Sequence, residues 1–153
     1  MITGSKDREI RIFDLTTFEL KHLLQPTHYD SISSLAVSNN LLFSAGGSQF
    51  GFLKQWNLQT LGGQITSNGA HKESVLSMVS VRGGTAGLLL SASKDGVIKG
   101  WNPESCECLG ELKAHDVSIN QMVLRRGDSS SSLLLTASND KTVRAWRLKY
   151  SVT

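Results

Sequence analysis

The stretch LLSASKDGVIKGW, residues 89–101, returns as LLTASNDKTVRAW at residues 134–146. The closing aromatics, Trp101 and Trp146, stand 45 residues apart. An earlier copy, LLFSAGGSQFGFLKQW at 41–56, ends at Trp56, again 45 residues before Trp101. The first copy, ITGSKDREIRIF at 2–13, ends at Phe13, 43 residues earlier still. A fixed period of about 40–45 residues, with an aromatic closing an alternating strand, marks the blades of a β-propeller.

Each unit has an internal order. A short apolar run opens it, as in Leu41-Leu42-Phe43, Leu88-Leu89-Leu90 and Leu133-Leu134-Leu135; such runs suit strands buried on both faces. A small pair follows: Ser44-Ala45, Ser91-Ala92 and Thr136-Ala137. Then comes a tight turn with Asp and a flexible or polar neighbour, Asp7-Arg8, Asp95-Gly96 and Asp140-Lys141. Asp bonds back to the local backbone and Gly tolerates positive φ, so each favours a turn. In three copies the Asp lies six residues before the aromatic. The copy at 41–56 lacks it and carries Gly46-Gly47-Ser48-Gln49-Phe50 instead, two residues longer. A second marker runs in phase. His28, His71 and His115 are 43 and 44 residues apart, and each precedes an alternating strand: ISSLAVS, VLSMVSV and INQMVLR.

These markers resemble the WD-repeat family, whose blades are bracketed by Gly-His and Trp-Asp pairs. Here Ala70-His71 and Ala114-His115 stand for Gly-His, Trp56-Asn57 and Trp101-Asn102 for Trp-Asp, and Phe13-Asp14 keeps only the acid. The resemblance implies a buried tetrad of His, Ser/Thr, Asp and Trp in each blade. The matches are His71, Ser91, Asp95 and Trp101, then His115, Thr136, Asp140 and Trp146. The unit with His28, Ser44 and Trp56 lacks its Asp, so its tetrad should be incomplete and its turn less constrained. Truncation of Trp101 or Trp146 is accordingly expected to cost more than truncation of Trp56. The runs TGSKD, IRIFD, PTHYDSISSLAV, LLFSAG, NGAHKESV, LGELKAHDVSIN and LLTASNDKTVRAW, in that order, are similar to the C-terminal propeller of family-four kinesins with a WD-repeat tail. That likeness implies a cytoskeletal protein whose tail module binds partners or regulates the motor.

The expected fold is therefore all-β: a WD-repeat β-propeller of about three and a half four-stranded blades, part of a larger, seven-bladed one. The expected divisions are a partial blade at 1–25, blades at 26–67 and 68–113, and a partial blade at 114–153. Two incomplete blades would leave unpaired strand edges, which seek partners. The chain is thus expected not to persist as a free monomer, the remaining blades coming from the same protein or another chain.

The formal net charge is only +3 over 153 residues. The densest basic stretch, Lys141, Arg144, Arg147 and Lys149, alternates along one strand and reads as a solvated face, so no nucleic-acid partner is expected. No signal peptide, membrane span or N-glycosylation sequon appears. Two cysteines, Cys106 and Cys108, fit a reducing compartment. Cys106-Glu107-Cys108 is expected to put both sulfurs on one face of an outer strand, with no further Cys/His cluster to complete a metal site. Gly62-Gly63 and Gly83-Gly84 lack a following helix and so do not read as phosphate cradles. Arg126-Gly127-Asp128 reads as a hairpin turn.

Histidines that recur once per unit are scaffold, whereas catalysis needs one site. No nucleophile–base–orienter set stands outside the repeats. The expectation is a non-enzymatic protein-interaction platform with no cofactor and no metal, cytoplasmic and associated with the cytoskeleton or cilium. A structural subunit embedded in a large cytoskeletal or ciliary assembly is the alternative. Binding usually sits on loops of a rigid scaffold. The rim that holds His and Asp offers Tyr29, Asp30, Lys72, Glu73 and Asp116 after the histidines. It offers Lys6, Gln49, Phe50, Lys94 and Asn139 at the Asp turns.

Overall fold

Two short turns, each found in three of the repeats, set the strand boundaries. In the first, the Asp side chain accepts the backbone N–H two residues on: Glu9 from Asp7 (3.1 Å), Val97 from Asp95 (2.9 Å) and Thr142 from Asp140 (2.9 Å). The residue after each Asp takes a left-handed backbone, φ 75° at Arg8, 76° at Gly96 and 68° at Lys141. At Gly96 the requirement is absolute, since a Cβ there would lie 2.2 Å from the carbonyl oxygen of His115. The second turn follows the closing aromatic. Asp14, Asn57 and Asn102 accept the N–H groups of Thr16 (2.7 Å), Gln59 (2.8 Å) and Glu104 (2.8 Å). An Asn oxygen accepts as an Asp oxygen does. This is why Trp-Asn can replace Trp-Asp without loss of the turn.

A computed structural model describes residues 1–81, 87–127 and 131–149. Fourteen strands run between those turns: β1 (Ile2–Gly4), β2 (Ile10–Phe13), β3 (Leu20–Leu23), β4 (Ile32–Ser38), β5 (Leu41–Gly46), β6 (Gly51–Asn57), β7 (Gly63–His71), β8 (Val75–Val81), β9 (Leu88–Ser93), β10 (Val97–Trp101), β11 (Cys108–Lys113), β12 (Ile119–Arg126), β13 (Ser131–Ser138) and β14 (Val143–Lys149). No helix occurs among the described residues. The strands form four antiparallel meanders: β1-β2-β3, β4-β5-β6-β7, β8-β9-β10-β11 and β12-β13-β14. These are the blades of an all-β propeller, the fold class expected from the repeat. Gly83-Gly84 and Asp128, the last residue of the Arg-Gly-Asp tripeptide, lie outside the described residues.

Three apolar layers hold the blades face to face. Ile10, Leu24, Ile32, Leu42 and Trp56 fill the first gap. Phe43, Leu53, Val75, Met78, Leu89 and Trp101 fill the second. Leu90, Ile98, Ile119, Met122 and Leu134, with Trp146 against them, fill the third. The apolar opening runs lie at the centre of this packing: Leu42, Phe43 and Leu89 are wholly buried. The run Leu133-Leu134-Leu135 is buried only at Leu134 and half-buried either side, as its sheet is covered on one face.

Polar bonds stitch neighbouring blades one period apart. The first strand of each of the last three blades bulges near its start, after Ile32, Val75 and Ile119. The N–H of Met78 donates to Ser34 Oγ at 2.9 Å, and that of Met122 to Ser77 Oγ at 3.0 Å. Ser77→Ala should therefore orphan the buried Met122 N–H. The expected loss is about 1–2 kcal/mol, read in urea unfolding as a lower midpoint at constant slope.

The cysteine expectation needs correction. Cys106 sits in the turn before β11 with φ 56° and is buried in the second layer, whereas Cys108 begins β11 and is exposed. The left-handed residue reverses the chain between them, so their sulfurs do not share a strand face.

Candidate functional site: the His/Asp rim

The tetrads form where strand order brings a blade's first loop beside its middle turn. In the last blade all four groups meet. His115 Nε2 bonds Thr136 Oγ1 (2.7 Å), His115 Nδ1 bonds Asp140 Oδ2 (2.7 Å), and Trp146 Nε1 donates to Thr136 Oγ1 (3.1 Å). In the blade before it, His71 Nε2 and Trp101 Nε1 converge on Ser91 Oγ at 2.7 and 2.8 Å. Asp95 lies 3.4 Å from His71 Nδ1. That is within ion-pairing distance, but it is not aligned as a hydrogen bond, and Nδ1 has no such bond. The Asp95 carboxylate instead accepts the N–H groups of Lys72 (3.2 Å) and Val97 (2.9 Å).

The blade of β4–β7 keeps the triad without the acid. His28 Nε2 bonds Ser44 Oγ (2.6 Å), and Trp56 Nε1 donates to the same oxygen (2.7 Å). Phe52 stacks on the face of the His28 ring at 4.5 Å. Burial, with the Lys54 charge nearby, pulls the His28 pKa down to about 4. The enlarged turn is nonetheless tied down. Asp30, two residues after His28, accepts from Ser48 N and Ser48 Oγ, both at 2.7 Å, and from Ser31 N at 2.6 Å. The carboxylate has moved from the turn to the His loop and makes the same bridge from the other side. The burial order also differs from the expected grading of the tryptophans. Trp56 is 0% exposed and Trp101 4%, while Trp146 is half-buried.

Backbone bonds put the proposed binding positions on one rim. His28 N and Ile32 N donate to Arg8 O and Ser5 O of the preceding blade (3.1 Å each). Lys94 N donates to Ser74 O (3.0 Å), and Asn139 N to Ser118 O (3.0 Å). Tyr29 is 92% exposed and Phe50 68%. Lys6, Gln49, Lys72, Glu73, Lys94 and Asp116 are exposed as well. Two of the ten side chains are already engaged: Asp30 on Ser48, and Asn139 by accepting from Asn120 Nδ2 at 2.6 Å.

A basic residue also recurs in phase with the closing aromatics. Arg11, Lys54, Lys99 and Arg144 each stand two residues before the closing aromatic. Arg144 donates to Ala114 O at 2.6 Å and Lys54 to Pro26 O at 2.9 Å, so each crosses its own blade to hold the segment beside the histidine.

Similarity to known proteins agrees with this geometry. The family described as WD domain, G-beta repeat, matches residues 106–147. The human kinesin-like protein KIF21B is 37% identical over 153 residues, 95% of this chain. The pre-rRNA-processing protein IPI3 of Yarrowia lipolytica is 32% identical over 124 residues, 76% of this chain. The chain spans 9% of the first relative's length and 28% of the second's. Among solved structures, the WD40 repeats of RRP9 superpose with a TM-score of 0.79 at 22% identity, covering 97% of this chain and 46% of that one. Matching repeats, relatives and superposed blades give one answer: the chain belongs to the WD-repeat β-propellers, a fold of protein-interaction scaffolds.

Proposed function

We propose that this chain is a non-enzymatic interaction platform of the kinesin-tail type, engaging a cytoskeletal partner through its His/Asp rim. The observation that carries the kinesin reading is 37% identity to a kinesin-like protein across 95% of the chain. The rim reading rests on two aromatics, Tyr29 and Phe50, held out in solvent on loops that hydrogen bonds pin to the blades. Exposed aromatics on a rigid frame lose little entropy on contact and dominate interface energies.

The test expresses the tagged chain in the source cells and fractionates cytoskeleton from nucleus. The wild type should partition with the cytoskeleton. Tyr29→Ala with Phe50→Ala should weaken that recovery at least about tenfold with an unchanged melting temperature. Recovery with pre-rRNA in the nuclear fraction would favour a second reading, supported by the 32% identity to a pre-rRNA-processing protein.

A further inference from the structure

The four cations that precede the closing aromatics differ in their partners. Arg11 meets Asp7 at 2.8 Å and also contacts Glu9. Lys99 meets Glu111 at 3.4 Å, and Arg144 lies 3.6 Å from Asp140. Lys54 has no ion pair among the described residues, although it is only 8% exposed. Its Nζ donates to Pro26 O at 2.9 Å and lies 4.1 Å from the centroid of the Trp56 ring.

The register explains the difference. Glu111 lies across the strand pair from Lys99, whereas Thr66 lies across from Lys54. The turn acid is missing too, as Phe50 stands six residues before Trp56. The position two before the cation, Glu9 in the first blade, is Phe52 here, so all three positions that supply a counter-ion elsewhere are neutral in this blade. An ammonium has three donors, and Pro26 takes one. Burial lowers the Lys54 pKa, as it does for a cation withdrawn from water without an opposite charge.

A cavity of about 50 Å³ opens at this point, lined by Lys54, Thr27, Tyr29, Phe52, Thr66 and Asn68 among others. It is far smaller than the roughly 300–1,000 Å³ of a small-molecule site and suits a single functional group. We propose that it receives the carboxylate of an Asp or Glu side chain from a protein partner. Lys54 serves as the counter-ion, and Thr27, Thr66 and Asn68 supply neutral donors. The proposal rests on the rim reading and deepens it, because Tyr29 borders both the rim and the cavity. One cation matches one negative charge, which favours a carboxylate over a doubly charged phosphate.

The probe is a fluorescein-labelled decapeptide of Gly and Ser with three central Glu, compared with its Gln and phosphoserine counterparts by anisotropy. The Glu peptide should bind at least about tenfold more tightly than the Gln peptide. Lys54→Met keeps an apolar stem against Trp56 and should abolish that preference; Lys149→Met, a surface charge elsewhere, should keep it. Thr66→Glu supplies an internal carboxylate opposite Lys54, so it should raise the melting temperature and block the Glu peptide. If Lys54→Met does not fold, Thr66→Glu decides alone. Equal binding of Glu and Gln peptides, preference for phosphoserine, free acetate at equal concentration competing as well as the peptide, or a Thr66→Glu chain that still binds would each overturn the proposal. The cell fractionation is separate: selective Glu binding with unchanged cytoskeletal recovery in the Tyr29/Phe50 variant sinks the rim reading alone.

Discussion

Trp56→Ala and Trp101→Ala should be the most damaging of the aromatic truncations, and Trp146→Ala the mildest. Trp56 and Trp101 are buried between blades, and each indole donates to a serine that also holds a histidine. Removing such a ring costs roughly 3–5 kcal/mol in lost contacts and cavity. The orphaned serine and histidine groups add about 1–3 kcal/mol. Together these approach the whole stability of a typical domain, so the two variants should unfold at far lower denaturant than the wild type. Trp146 is half-buried, with a longer bond to Thr136. Its truncation leaves an open groove in place of a sealed cavity, so the loss should be about half as large. Guanidinium unfolding of the three variants checks the order, and a loss at Trp146 equal to that at Trp56 would contradict it.

Acid should begin to weaken the fold at pH values above the usual carboxylate range. His28 has a folded pKa of about 4 against an ordinary 6.5, because burial excludes its charged form and Lys54 repels it. Between these values the unfolded chain binds a proton that the folded chain does not. Stability therefore rises with pH across this window: the contribution is complete above pH 6.5 and is lost as pH falls toward 4. The shift corresponds to about 3 kcal/mol. His71 is also lowered by burial, against the opposing pull of Asp95, and steepens the same slope. Asp14, bonded by Thr16 N–H and Lys21, is held at about 2, and Asp30 is lowered by Ser48. Their contributions are present above the usual carboxylate range and vanish only below about pH 4. Unfolding free energies measured at pH 7, 5.5 and 4.5 should fall steadily for the wild type and less steeply for His28→Gln. An unchanged slope in that variant would remove His28 as the cause. The slope is diagnostic even if the substitution lowers stability at every pH.

Local chemistry made the blade architecture legible. A period of 43–45 residues, an Asp or Asn at most turns and a small pair after each apolar opening run are statements about neighbouring backbone, and neighbouring backbone is what sequence order controls. The resemblance to WD repeats placed Ser44, Ser91 and Thr136 beside their histidines, and in the structure each hydroxyl bonds its imidazole. Contacts between a loop and a distant turn, or between blades, could not be read this way. Asp30 clamps Ser48 over 18 residues, and Ser77 accepts from Met122 over 45. The first pair follows from no turn rule; the second joins positions one repeat apart, but the period alone does not show that side chain and backbone meet there. The burial of Trp56 over Trp146 depends on which sheet face is covered, and the shared repeat pattern does not encode that difference. Lys54 is the sharpest case: the sequence sets a basic residue two places before every closing aromatic, and only the strand register shows that this one faces Thr66 and stands without a carboxylate.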